Sequence, residues 1–202
     1  MSGGTKVLLV VIGVIVLLCV VGCSFYTSSY NKMVTLDEKV SEQWAQVQNQ
    51  YQRRYDLIPN LVETVKGYAS HESQVFTDIA DARSKVGGVV QISAEDLNDP
   101  AKLQQFQEAQ NSLGGALQRL LSVTENYPEL QANQNFLALQ DQLEGTENRI
   151  ATARQDFNSA VTSYNTAIRK FPQNIIANMS GFTQKAKFEA GSSAQSAPSV
   201  SF

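Results

Sequence analysis

The sequence predicts an all-α protein: an N-terminal transmembrane helix followed by an antiparallel up-down bundle of four long helices with coiled-coil-like packing. Three observations lead there. Residues 7–21 are almost wholly apolar. Apolar side chains then recur at spacings of three and four along most of the chain, the period of a helix with one buried stripe. Gly and Pro are few, 12 and 5 in 202 residues, with the Gly mostly in clusters, while Gln and Asn are abundant. That balance suits the polar faces of long helices better than a sandwich or barrel.

The first element is an anchor over residues 1–29. Lys6 precedes the apolar run, and extension to Phe25 and Tyr26 gives about 20 residues, roughly 30 Å of helix and the thickness of a bilayer core. Phe25, Tyr26 and Tyr30 fit an aromatic belt at the membrane boundary. An alternative is a lipoprotein-type signal, because Val20-Val21-Gly22-Cys23 resembles a lipobox, which would make Cys23 a lipidation site. Both readings tether the rest of the chain to a bacterial cell membrane, the uncleaved helix by a single pass. If Lys6 stays in the cytoplasm, the bundle lies on the extracytoplasmic side.

The bundle is expected over residues 30–172. A first helix over about 30–55 carries Met33, Leu36, Val40, Trp44, Val47 and Tyr51 on one stripe. A second, over about 57–86, carries Ile58, Leu61, Val65, Tyr68, Val75 and Ile79 and stops at Gly87-Gly88. Residues 93–100 read as loop. A third, over about 101–125, carries Leu103, Phe106, Leu113, Leu117 and Leu120. The fourth, over about 128–171, has Phe136, Leu143, Ile150, Phe157, Tyr164 and Phe171 every seven residues, with Leu139, Ala153, Ala160 and Ala167 between them. A sustained seven-residue repeat implies left-handed coiled-coil packing.

Two junctions look alike: Asp56-Leu57-Ile58-Pro59-Asn60-Leu61 and Asn126-Tyr127-Pro128-Glu129-Leu130. Each places Asp or Asn, a capping residue, before a Pro that the first turn of a helix tolerates. Both are expected to be tight turns between antiparallel helices. At Pro59 a continuous, kinked helix is the alternative, since the apolar stripe keeps its phase there.

From Arg169 the sequence changes character, leading into a basic and apolar membrane-proximal segment over residues 173–190: Arg169, Lys170, Lys185 and Lys187 are interleaved with Phe171, Ile175, Ile176, Met179, Phe182 and Phe188. In an up-down bundle the fourth helix returns toward the anchor, so a membrane-surface segment is expected here, formed by Lys170, Phe171, Ile175, Ile176, Met179, Phe182, Lys185, Lys187 and Phe188. The alternatives are a lid folded back on the bundle end and packing against a neighbouring subunit. Residues 191–202, rich in Ser, Ala and Pro, are expected to be a disordered tail.

Taken together, several segments resemble the LemA family of bacterial membrane proteins. They include Gln52-Arg53-Arg54-Tyr55-Asp56-Leu57-Ile58-Pro59-Asn60-Leu61-Val62, Val65-Lys66-Gly67-Tyr68-Ala69 with His71-Glu72, and Ala82-Arg83. Later come Tyr127-Pro128-Glu129-Leu130, Asn133-Gln134-Asn135-Phe136, Glu144-Gly145-Thr146-Glu147-Asn148-Arg149-Ile150, Tyr164-Asn165 and Phe171-Pro172. The resemblance implies a membrane helix plus an antiparallel bundle and implies no reaction. It also implies a short extracellular N-terminus, opposite to the side that Lys6 favours.

The chemistry available is sparse. A net charge of −3 excludes a basic footprint over the whole domain, so no nucleic-acid partner is expected. Cys19 and Cys23 are the two cysteines and His71 the one histidine, too few for a zinc set or a paired-helix di-metal site, so no metal or cofactor is expected. His71 could serve as a general base but has no nucleophile at motif spacing, so no enzyme is expected. Arg53, Arg54 and Asp56 form the densest polar patch, read either as an exposed tip that binds a partner or as a local helix-end network. Glu144, Glu147, Arg149 and Arg154 read as a solvated or interhelical ion-pair face. Gly145, inside the fourth helix, suggests close approach of a neighbouring one. The expected role is a self-associating envelope scaffold whose partners are the lipid bilayer and further copies of itself. The alternative is an adaptor that binds another envelope protein through the Arg-rich tip.

Overall fold

The computed structural model describes residues 3–89 and 92–189, and among these the chain is helical with no strand. The expected tail over residues 191–202 lies outside the described residues. In order the elements are α1 (Gly3–Lys66), α2 (Ser73–Val89), a 3-10 turn (Glu95–Asn98), α3 (Pro100–Thr124), α4 (Pro128–Gln131), α5 (Gln134–Arg169) and α6 (Gln173–Met179). The four principal helices are α1, α2, α3 and α5.

The turn expected at residues 56–61 does not form. α1 runs unbroken through Pro59 to Lys66, and the chain reverses over residues 67–72 instead. Pro59 forfeits one backbone hydrogen bond, but Ile58, Leu61 and Val65 around it are all buried, and a turn there would expose one or more of them. The second junction stands where expected. Residues 125–127 break the helix and Pro128 opens α4 at its first turn. Asn133 then starts α5, its Oδ1 accepting from the backbone N–H of Asn135 at 2.9 Å and Phe136 at 3.1 Å. At the start of α3, Asp99 Oδ1 accepts from Ala101 N at 2.9 Å.

The chain divides into two compact units, Met1–Lys39 with Thr162–Gln184, and Val40–Val161 with Lys185–Phe202. In the second unit α1 and α5 run in opposite directions. Trp44 meets Phe157, Arg54 meets Glu147 and Tyr68 meets Asn133. α2 packs on α3, and Arg83 lies over Tyr55 of α1 at 4.2 Å from the ring centre.

The core of this unit has two parts. One is aliphatic, built from Ile58, Leu61 and Val65 of α1, Ile79 and Val86 of α2, Leu113, Leu117 and Leu120 of α3, Leu130 of α4, and Phe136 and Leu143 of α5. The other is aromatic. Trp44 touches Phe106 and Phe157 with ring centres 5.4 Å apart, Tyr51 meets Phe106 at 5.1 Å, and Phe188 enters from the C-terminal segment against Phe157 at 5.5 Å. α2 has ended before this level. Trp44 Nε1 donates to the carbonyl of Ile92, just past α2, at 2.9 Å. Residues 186–189 take up the remaining space: Ala186 N donates to Leu97 O at 2.8 Å, and Phe188 exchanges two backbone–side-chain hydrogen bonds with Asn158.

In the first unit, α1 carries an apolar surface that no other described residue covers. Leu8, Val10, Ile15, Leu17, Leu18 and Val21 are each more than half exposed. This helix is long and apolar enough to cross a membrane. Farther along, Tyr30 packs at a tilt against Phe182 with ring centres 5.6 Å apart, and Tyr164 of α5 meets the same ring at 6.5 Å.

Candidate functional site

Arg54 is a buried charged side chain with partners on two other helices, and it is not at a tip. Because α1 continues to Lys66, residues 53–56 lie mid-helix. Arg54 falls between Tyr51 and Ile58 on the buried stripe and is only 4% exposed. Its Nη1 donates to Glu147 Oε1 at 3.0 Å and Oε2 at 3.3 Å on α5. Its Nη2 donates to the backbone carbonyl of Gln110 on α3 at 3.2 Å and to that residue's side-chain oxygen. The guanidinium also lies 5.0 Å from the centre of the Tyr51 ring. One buried cation thus ties three helices, a geometry that fixes helix register. The exposed-tip expectation is corrected for Arg54, since a side chain so enclosed cannot grip an outside partner.

Arg53 and Asp56 point the other way and are exposed. Asp56 Oδ1 accepts from Gln52 Nε2 at 2.8 Å. With Asn49, Gln50, Leu57, Gln142 and Arg149 they line an open polar groove of about 640 Å³. Its charges are mixed and its walls carry no nucleophile beside a base.

The true end of this unit is the turn over residues 67–72 beside residues 125–133. Asn133 donates to the Tyr68 hydroxyl at 2.9 Å, and Tyr127 donates to Glu72 at 3.4 Å. His71 is exposed in this turn. Among the described residues no group of three or more His, Cys, Asp or Glu side chains could hold a metal ion.

The remaining sequence-predicted residues divide. Glu147 is an interhelical partner, and Arg154 stacks over Phe188 at 4.5 Å. Glu144 is exposed. The nearest neighbours of Gly145 are guanidinium atoms of Arg149 on its own helix, at 3.6–3.7 Å, so close approach of another helix is not its reason. Cys23 lies within α1, exposed and unpaired.

The expected membrane-surface set divides too. Lys170, Phe171, Ile175, Met179 and Lys187 are exposed. Phe182 is half-buried between Tyr30 and Tyr164. Ile176, Lys185 and Phe188 are buried at 6%, 8% and 6% exposure. These three are therefore corrected: Phe188 fills the aromatic core, Lys185 is buried where the same returning segment begins, and Ile176 is on the inner face of α6.

Burial raises the Tyr51 hydroxyl pKa above its ordinary value, against the opposing pull of Arg154 and Arg54. Burial, with the nearby Asp37 charge, raises that of Tyr164 to about 12. Neither tyrosine is poised to exchange protons near neutrality.

Known proteins resemble this chain over most of its length. It is 30% identical over 175 residues to magnetosome protein MamQ 2 of Paramagnetospirillum magneticum, covering 79% of this chain and 64% of that one. It is 29% identical over 168 residues to MamQ of Magnetospirillum gryphiswaldense, covering 76% and 62%. The chain thus spans a little under two thirds of the length of these relatives. Protein LemA of Metamycoplasma hominis is 23% identical over 165 residues, 82% of this chain. The LemA family model matches residues 43–202, from the middle of α1 onward, and the chain belongs to the LemA family.

Proposed function

We propose that this protein is a membrane-attached, non-catalytic scaffold of the bacterial envelope that works by self-association. The observation that carries the reading is the use of α1. Its first part presents an apolar surface with none of the described residues against it, and its later part supplies the core positions Trp44, Ile58 and Leu61. An uncovered apolar stretch of that length finds its favourable solvent in a bilayer. The polar chemistry of the bundle supports a non-catalytic role, because Arg54 and Glu147 are spent on holding helices in register. Attachment confines copies to two dimensions and raises their effective concentration, so weak lateral contacts suffice for assembly. The bundle is placed on the extracytoplasmic side, following Lys6 at the start of the apolar segment.

Native mass of the detergent-purified full chain across protein concentrations tests this. A defined oligomer is the expected result. A monomer throughout rejects self-association and leaves an adaptor using the Arg53–Asp56 groove as the reading to pursue. Release of the chain from membranes by alkaline carbonate rejects the spanning segment itself.

A further inference from the structure

Two large apolar side chains on the outer face of α6 and one just before it are exposed among the described residues. Phe171 is 80% exposed, Ile175 52% and Met179 76%. Ile175 and Met179 stand four residues apart and so on one face of α6, Phe171 lies two residues before the helix, and Ile176 and Ala177 on the inner face are buried. Arg169 and Lys170, both exposed, immediately precede them. The position of this face is set by α1. Tyr26 approaches Ser180 with oxygens 3.4 Å apart, and Tyr30 packs on Phe182. Tyr26 is five residues past Val21, about 7 Å along the helix, just where the apolar segment gives way to polar sequence. The exposed triad therefore sits beside the end of the segment that would cross the membrane.

We propose that Phe171, Ile175 and Met179 form a second bilayer contact, entering the boundary between head groups and acyl chains of the membrane that α1 crosses, with Arg169 and Lys170 meeting anionic head groups. The proposal rests on the membrane attachment inferred above. Large apolar side chains flanked by cations are what an interfacial segment needs. Ser180 and Phe182, just past the end of α6, hold this segment against Tyr26 and Tyr30 of α1. The contact would hold the end of α5 at the bilayer surface, making the attachment two-point.

The full chain, reconstituted in phosphatidylcholine–phosphatidylglycerol vesicles with acyl chains brominated near the carbonyl, tests this through tryptophan quenching. Met179→Trp places a reporter on the triad, Asn178→Trp places one on a neighbouring exposed position, and Leu17→Trp reports on the spanning segment. Trp44, buried in the core, supplies a constant background. Met179→Trp is expected to be quenched several-fold more than Asn178→Trp, and adding Phe171→Ser with Ile175→Glu should abolish the difference. Quenching of Leu17→Trp with equal, weak quenching of the two α6 reporters overturns the proposal and leaves membrane attachment standing. An unquenched Leu17→Trp overturns the attachment reading and this proposal with it. A Met179→Trp emission that follows protein-to-lipid ratio but ignores the brominated lipid would assign the face to a second copy of the chain, and also overturns it.

Discussion

The aliphatic and aromatic parts of the core solve the same packing problem with different material. Around Ile58, Leu61, Leu117 and Leu143, four helices are present, and branched aliphatic side chains fill the space between them. Around Trp44 and Phe157, α2 has ended. The missing volume is made up by large rings and by a returning stretch of chain that inserts Phe188. A bundle that loses a helix along its length must either collapse or recruit both bulk and backbone, because close packing tolerates few voids. The aliphatic part depends on helices alone. The aromatic part depends on a non-helical segment from far along the sequence, tied down by Asn158 and Leu97.

This difference can be broken in graded ways. The largest effect is expected from Phe157→Ala, which empties a fully buried ring site that Trp44 and Phe188 both contact and should cost about 3–5 kcal/mol. An unchanged denaturant midpoint would show that the rings are not the core. Phe188→Ala should cost about 3 kcal/mol and act locally. Amide exchange is expected to speed up near Trp44 while Leu61 and Val65 stay protected, and uniform acceleration would mean the two parts are one cooperative unit. The Arg54–Glu147 pair should respond asymmetrically. Glu147→Ala leaves a buried guanidinium short of its counter-charge and is expected to cost about 3 kcal/mol, whereas Arg54→Met, an apolar side chain of similar length, should cost under about 1 kcal/mol. Equal losses would contradict that burial. Pro59→Ala restores a backbone hydrogen bond within α1 and should raise stability by about 1–2 kcal/mol; a loss would favour a turn at that position. The smallest effect is alkaline. The folded chain keeps the Tyr164 proton to about 12, while the unfolded chain releases it near 10.0. Stability is therefore full below pH 10 and falls between 10 and 12 as the unfolded state loses protons first. Tyr164→Phe should flatten that slope in urea titrations.

Much of the bundle was legible because its signals are local. α3 begins within a residue of expectation, since Asp99 and Pro100 carry the start in their own chemistry. The seven-residue run from Phe136 to Tyr164 is buried throughout, and it fails at Phe171 because α5 ends at Arg169. Pro59 misled because its local preference is for a helix start, while the burial of the residues around it is decided by helices far away in sequence. Arg54 sits at the spacing of the buried stripe, four before Ile58 and three after Tyr51. That signal was readable, but a charge at a core position makes sense only once Glu147, 93 residues on, is known to face it. Phe188 offered no periodicity at all. Its partners Trp44, Phe106 and Phe157 lie on three different helices, and only the premature end of α2 explains why it is needed.

The placement of Phe188 also sets an order in time. The chain is made from its N-terminus, so every residue of the aliphatic core exists once Leu143 has been added. The aromatic core waits for residue 188, 45 residues later, roughly 2–9 s at a synthesis rate of about 5–20 residues per second. Once Phe157 has been added, Trp44, Phe106 and Phe157 have their rings but not their closing piece, and they present sticky surface on a domain that is otherwise half assembled. A nascent chain stalled within those 45 residues should bind holdase chaperones that the finished protein ignores, and release should coincide with the emergence of the C-terminal segment.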